Sequence, residues 1–315
     1  MTAFYFKYRL QLFITLILVF LLGLFICLAP ATFLSSRIYI AYMSTIPFTA
    51  ILALAITPVI ISGEIDLSFP AVMATGGFVF AGLYLETGSV GLAVTAALLT
   101  GLLSGFINGL LVVKVGVPSI IATIGTQFFW RGITVLASGG LAKSLVDLRD
   151  TQLHNLFVGR ISGVIPAQSV WMLLVVAVLW LLVNRYPFGD NIRFTGDNAE
   201  AAKAMGIRVG RTKIGVFCLM GFFSSFAGVL LCMEMASWWP TQGEGYMLLV
   251  FASVFVGGTS VFGGKGTVYG SFIGAVIVGI IEAGIISSGI SGLWTRMVYG
   301  IIIILAVSIY ATFRK

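Results

Sequence analysis

Apolar residues along this chain fall into ten long blocks, at about 10–29, 38–61, 70–86, 90–113, 119–137, 168–184, 214–236, 245–262, 267–287 and 293–312. Polar residues are confined to the gaps between them. A helix that crosses a bilayer needs ~20 mostly apolar residues. The pattern therefore predicts an all-α polytopic membrane protein with about ten transmembrane helices. The third and eighth blocks are short and contain Gly, so broken or re-entrant segments there would reduce the count to nine or eight. No polar gap is long enough for a separate domain, and residues 1–315 read as a single transmembrane domain. The block at 10–29 is too long for a removed leader and lacks a convincing small-residue cleavage site, so it reads as a retained first span.

The longest inner gap, 185–213, is a polar and basic island. Within it, Asp197 to Gly206 predicts one short helix. Asp197 is placed to cap its N-terminus, Glu200 stands three residues on in capping-box spacing, and Gly206 supplies the stop. Such a helix is ~14 Å long at 1.5 Å per residue and is marginal alone in water. It needs a surface to rest on, in this chain or on a partner. The other long gap, 138–167, carries the sole histidine, His154, with Asp147, Arg149 and Asp150, and predicts a small surface cap.

Composition agrees with the blocks. The chain is 59% hydrophobic and 9% charged, with mean hydropathy +1.09, whereas soluble domains carry about 25% charged residues. The net charge of +7 suggests nucleic acid until its distribution is considered. With the N-terminus inside, ten spans put twelve of the 18 Lys and Arg on the cytoplasmic side, against five outside and Arg131 within the fifth span. This is the positive-inside pattern. It predicts cytoplasmic N- and C-termini, a cytoplasmic 185–213 loop, an external 138–167 loop, and no nucleic-acid partner. Cys27, Cys218 and Cys232 all lie in apolar runs without paired spacing, so they read as small buried hydrophobes.

Catalytic chemistry is missing. His154 stands alone, no His/Cys/Asp set has metal-ligand spacing, and Gly263-Gly264-Lys265-Gly266-Thr267 lacks the phosphate-loop spacing because Thr259 occupies the place of its first Gly. The chain is expected to be no enzyme, to hold no metal and to bind no cofactor. Energy for transport would come from a partner or an ion gradient.

Charged and polar residues among the spans are few. Arg131, Glu234 and Glu282 are costly in hydrocarbon and should face protein or water, as part of a path or gate or as inter-helix bonds. Glu64 and Asp66 sit in a polar break, Gly63 to Pro70, that reads either as cavity-lining backbone or as an ordinary cytoplasmic turn. Pro47 and Pro58 before it suggest kinks. Trp130 could stack on a sugar ring or pack in the core. Trp238, Trp239 and Pro240 fall at the outer interface, as headgroup anchors or as contacts for a docking protein. Gly101, Gly105 and Gly109 in the fourth span, and Gly270 and Gly274 in the ninth, form four-residue ridges that let helices approach closely. Each ridge is followed by a polar residue, Asn108 or Glu282. Two such spans five apart fit a five-plus-five inverted repeat.

Five motifs in order carry a resemblance. They are Gly63-x-Ile65-Asp66-Leu67-Ser68; Pro118 to Thr126 with Arg131-Gly132; Gly196-Asp197-Asn198-Ala199-Glu200-Ala201-Ala202; Pro240-Thr241-x-Gly243-x-Gly245-Tyr246; and Gly257-Gly258-Thr259-Ser260-x-x-Gly263-Gly264-Lys265-Gly266. Over residues 40 to 312 the chain resembles the permease subunit of bacterial ABC importers for ribose and related simple sugars. The resemblance implies a dimeric pore of two permease copies, or this chain with a paralogue, in the inner membrane. It implies a cytoplasmic ATPase that binds ATP and Mg, and a periplasmic sugar-binding protein. It also implies that Asn198, Glu200, Ala201, Ala202 and Gly206, with Lys203 among them, form a coupling helix docked on the ATPase. Candidate path or gate residues are then Glu64, Asp66, Asn108, Trp130, Arg131 and Glu282, and Trp238, Trp239 and Pro240 are candidate contacts for the binding protein. Three departures stand out: Glu64 where the family usually has a second Gly, Phe69-Pro70 where Val-Gly usually follows, and Met247 in place of an acid. They lie around the implied pore and leave the sugar unspecified. The competing readings are a gradient-driven carrier acting alone, for which no coupling-ion site is evident, and a non-transporting scaffold.

Overall fold

A computed structural model describes residues 2–313. Of the charges placed inside from sequence, Arg314 and Lys315 lie outside the described residues, as do the side chains of Lys7 and Arg9. Among the described residues the helices are α1 (Thr2–Leu28), α2 (Pro30–Phe33), α3 (Ser36–Ile61), α4 (Phe69–Thr87), α5 (Val90–Leu110), α6 (Ser119–Ser138), α7 (Gln152–Val158), α8 (Ala167–Asn184), α9 (Pro187–Asp197), α10 (Ala199–Ala204), α11 (Val209–Met235), α12 (Tyr246–Val256), α13 (Val268–Ser287) and α14 (Thr295–Phe313). Four two-residue strands, β1 (Lys143–Ser144), β2 (Arg160–Ile161), β3 (Ile165–Pro166) and β4 (Ser237–Trp238), complete the elements used below.

Eight helices are long and apolar enough to cross a membrane. They match the first seven expected spans and the ninth. The tenth has a shorter apolar helix, Gly292–Leu305. The eighth is cut to the 11 residues of α12, about 16 Å. Gly258, with φ of 84°, ends it in a left-handed turn. The fourth span ends in a five-residue π-turn, Leu111–Val115, closed by Gly116.

Burial sorts the helices. The membrane windows of α3 and α11 are 89% and 83% buried, and those of α1 and α6 are 11% and 22% buried. The former are the core, and the latter expose Phe13, Leu16, Phe20, Phe128 and Leu136. Pro47 and Pro58 are accommodated inside one continuous helix, Ser36–Ile61.

The glycine ridges decide which helices meet. A Cβ on Gly221 of α11 would overlap the Gly101 carbonyl oxygen and stand 2.8 Å from the Gly105 nitrogen, so α5 and α11 touch backbone to backbone. On the other side, the ridge of α13 closes on Ser253 and Gly257 at the end of α12. Packing exchanges accordingly. Helices α4 and α5 pair with each other and with α11, while α12 and α13 pair with each other and with α3; α6 flanks α4 as α14 flanks α12. That reciprocity is what a five-plus-five repeat requires.

One end of the bundle carries the 138–167 cap. Strand β1 pairs antiparallel with β4, matching Lys143 to Trp238 and Ser144 to Ser237, and β2 with β3 forms a hairpin. Arg160 reaches Glu234 at 2.8 Å and a His154 ring nitrogen lies 3.2 Å from the Met233 carbonyl. Glu234 is thus a cap anchor. The opposite end carries 185–213, which forms two helices where the sequence predicted one.

Candidate functional site

Two stretches run without helix through the interior of the bundle. The first, Ser62–Ser68, joins α3 to α4, and the second, Ala236–Gly245, joins α11 to α12. Backbone unwound among spans has no partners of its own and must find them on side chains. For the first stretch, α6 and α5 supply them. The Ile65 and Leu67 amides donate to the Ser119 and Thr123 hydroxyls at 3.2 and 3.0 Å. Asp66 Oδ1 accepts from the Ser68 amide at 2.7 Å and the Ser68 hydroxyl at 2.6 Å. Asn108 Nδ2 donates to Ser68 Oγ, and Thr126 Oγ1 donates to Asn108 Oδ1, both at 2.7 Å. Asp66 and Asn108, singled out from sequence, are therefore joined, at 1% and 0% exposure, in a closed network that positions the junction and leaves neither open to a solute.

Asp66→Asn keeps an acceptor for both Ser68 donors and is expected to retain folding and transport. Asp66→Ala leaves two donors unpaired and is expected to cost about 1–3 kcal/mol.

Arg131 on α6 ties the second stretch to the first turn of α4. Its guanidinium donates to the Pro240 carbonyl, to the Gln242 carbonyl at 3.0 Å and to the Pro70 carbonyl at 3.4 Å. Pro70 opens α4 and meets Gly243 backbone to backbone. Beside this junction lies a cavity of about 320 Å³ lined by Gln127, Phe128, Arg131, Glu244 and Met247 among others. Glu244 places a carboxylate in the field of Arg131. Donors, acceptors and an aromatic face converge here, where two unwound segments meet at the repeat interface, the place at which transporters with repeats hold their solutes. Glu244 and Gln127 escaped the sequence reading. The signal was a charge between two glycines, Gly243 and Gly245, each with φ of 90°.

Four sequence candidates are corrected. Glu64 does not line the cavity beside Arg131; it forms an ion pair with Lys213 at the base of α11. Trp130 is 9% exposed and packs on Ala71, Val72 and Ile107 behind the cavity wall, so its ring is not presented to a solute. Glu282 lies exposed on α13, apart from the network and the cavity. Trp238 is fully buried, its indole N–H donating to the Ala74 carbonyl at 2.9 Å, so it contacts no docking protein. Only Trp239 and Pro240 of that trio keep partial exposure.

At the other end, Asn198 is the cap of α10, and its side chain accepts from the Glu200 and Ala201 amides at 3.1 and 3.0 Å. Asp197, expected in that role, closes α9 instead. Glu200 makes no capping box; it pairs with Lys203 at 2.7 Å. Gly206, φ 84°, ends the helix as expected, with the Gly206 amide on Lys203 and the Ile207 amide on Ala202. Ala202 is the foot on which α10 rests, at 0% exposure. That rules it out as a partner contact and leaves Asn198, Glu200, Ala201 and Lys203 facing outward. The preceding helix, α9, is bound tightly to the spans. Gly196 sits against the Ile61 carbonyl at the end of α3, and that carbonyl also accepts from Gly264 N–H at 2.8 Å. Gly63, Gly196 and Gly263 thus meet where three connecting segments converge.

A helical bundle with two unwound segments beside an open cavity, and an outward-facing short helix tied to the spans, defines a multi-pass membrane permease. The chain belongs to the branched-chain amino acid transport system permease component family, which matches residues 38–307. It is 32% identical over 288 residues to the ribose import permease protein of Bacillus subtilis (strain 168), covering 91% of this chain and 89% of that one. It is 33% identical over 293 residues to the ribose import permease protein of Escherichia coli (strain K12), covering 92% and 90%. It is 32% identical over 285 residues to the fructose import permease protein of Rhizobium meliloti, covering 87% and 77%. No solved structure matches the chain.

Proposed function

We propose that this chain is the transmembrane subunit of an ATP-driven importer that carries a simple sugar or sugar-like solute into a bacterial cytoplasm. It sits in the inner membrane with both termini cytoplasmic. A separate ABC ATPase subunit binds ATP and Mg and docks on α10; a periplasmic sugar-binding protein delivers the solute; a second permease copy or a paralogue completes the pore. The observation that carries the reading is the mounting of α9 and α10. Helix α10 rests on its own chain through buried Ala202 and turns its polar residues outward, while α9 joins it to α3 and the 257–267 loop at Gly196. A push on α10 is thereby delivered to the two core halves, which meet at Arg131. The relatives named for ribose and fructose import support a sugar over a branched-chain amino acid. So does the cavity, which offers Arg131, Gln127 and Glu244 to hydroxyl groups and Phe128 to a ring face.

The test is uptake of labelled ribose and fructose into proteoliposomes holding the permease, its ATPase and the binding protein. Uptake is expected only with ATP and all subunits present. Ala201→Arg, which adds bulk to the outward face without touching the Ala202 foot, is expected to lower uptake and ATPase retention at least about tenfold, equivalent to ~1.4 kcal/mol of docking energy. Uptake by the permease without an ATPase would overturn the reading in favour of a gradient-driven carrier.

A further inference from the structure

A second cavity, about 520 Å³, opens between α9, the end of α10 and the first turn of α11. Its walls include Asn191, Met205, Gly206, Arg208, Arg211 and Thr212, and its charged lining residues are the two arginines. Neither arginine forms an ion pair among the described residues. Three acids of this end are engaged, Asp190 by Arg193, Glu200 by Lys203 and Glu64 by Lys213, and the fourth, Asp197, does not line the pocket. Among the described residues, two guanidinium groups therefore line one polar pocket without an acid in its walls or an ion pair of their own. We infer that this pocket binds a phosphate group, carried by an anionic lipid headgroup or by a free phosphate.

Chemistry and depth agree. Guanidinium forks match phosphate oxygens in paired hydrogen bonds, and Asn191 adds a neutral donor on the facing helix. Arg208 and Arg211 flank the first turn of a membrane-crossing helix, at the level where a span meets headgroups, and Met205 beside them is a 59% exposed apolar side chain. Basic pockets at this level between helix ends suit anionic headgroups. Helix α11 has no side-chain cap, so its N-terminal amides add to the favourable field. Because Met205 and Gly206 form one wall, an occupied pocket would brace the end of α10.

The full-length permease, delipidated in neutral detergent, would be offered dioleoyl phosphatidylglycerol, dioleoyl phosphatidylcholine and inorganic phosphate in turn, with retention read by native mass spectrometry. Phosphatidylglycerol is expected to be retained over phosphatidylcholine. Retention should weaken roughly fivefold for each arginine removed in Arg208→Gln and Arg211→Gln, and about 25-fold in the double variant. Arg208→Lys with Arg211→Lys should restore part of it and shows that a loss does not come from misfolding. If inorganic phosphate displaces the lipid with the same arginine dependence, the ligand is the free anion; if it does not, the lipid is the source. Equal retention of phosphatidylglycerol by wild type and double variant overturns the site. So does a double variant that keeps the lipid and loses the ATPase subunit, which would make the pocket a protein contact.

Discussion

Gly196→Val is expected to abolish ATP-driven uptake in a permease that still inserts and still holds its ATPase. Any side chain at this position would overlap the Ile61 carbonyl oxygen, and its Cβ would stand 2.8 Å from the Gly264 nitrogen. Both are backbone atoms that cannot rotate away. They are also bonded to one another at 2.8 Å, so relief requires α9 to withdraw from α3 or the 257–267 loop to part from it. The overlap costs about 1–3 kcal/mol, as overpacking generally does, which a bundle with so large a core survives. What fails is the stiffness of the link. Helix α10, exposed apart from its foot, keeps its docking face, so ATP hydrolysis in the assembled complex should persist while uptake falls at least about tenfold, corresponding to ~1.4 kcal/mol of lost coupling. Parallel assays of hydrolysis and uptake check this. Undiminished uptake would show that motion of α10 reaches the pore by another route, with the Glu64–Lys213 ion pair the next candidate.

Gly221→Val is expected to prevent accumulation of folded protein altogether. Gly221 and Gly101 face each other across the seam of α5 and α11, each carbonyl lying where the other residue's side chain would start. Gly105 and Phe217 repeat the arrangement one turn along the seam, where a Cβ on Gly105 would stand 2.7 Å from the Phe217 carbonyl carbon. In lipid, helices associate through this close fit, since tails compete equally for apolar side chains. Valine spreads the seam along its whole length, and a loss of several kcal/mol consumes much of a typical stability of about 5–15 kcal/mol. Gly23→Val is the control, because a Cβ there meets nothing within 4 Å on the exposed side of α1. Size-exclusion profiles of detergent extracts should show a monodisperse peak for the control and little or none for Gly221→Val.

Much of the architecture is legible in the sequence. Nine of the ten apolar blocks became helices within a few residues of their expected ends, except for the early start of the first at Thr2, the π-turned end of the fourth and the extended start of the seventh at Val209. The eighth ended early because Gly257-Gly258 breaks it, and that pair was visible in the sequence. The 138–167 cap and the Gly206 stop were legible too. The cap of α10 was misplaced by one residue because Asp197 and Asn198 are both good caps. The choice fell to Asn198 when Asp197 was taken up by α9, a helix with little apolar signal of its own.

The sequence by itself determined the order and rough ends of the apolar segments, because hydrocarbon thickness imposes a length and an apolar character that each span must meet locally. It also marked the small-residue ridges and the basic loop. Which polar groups meet was decided only by the tertiary structure. The acceptors of Arg131 lie 61, 109 and 111 positions away in the chain, and Lys213 lies 149 from Glu64. Two of the three Arg131 acceptors belong to the 236–245 stretch, which local hydropathy placed on the surface. Burial of Trp238, whose indole N–H reaches the Ala74 carbonyl, followed the same rule. A buried polar group must find its partner wherever the packed helices bring one, and no local pattern encodes a distance of that order.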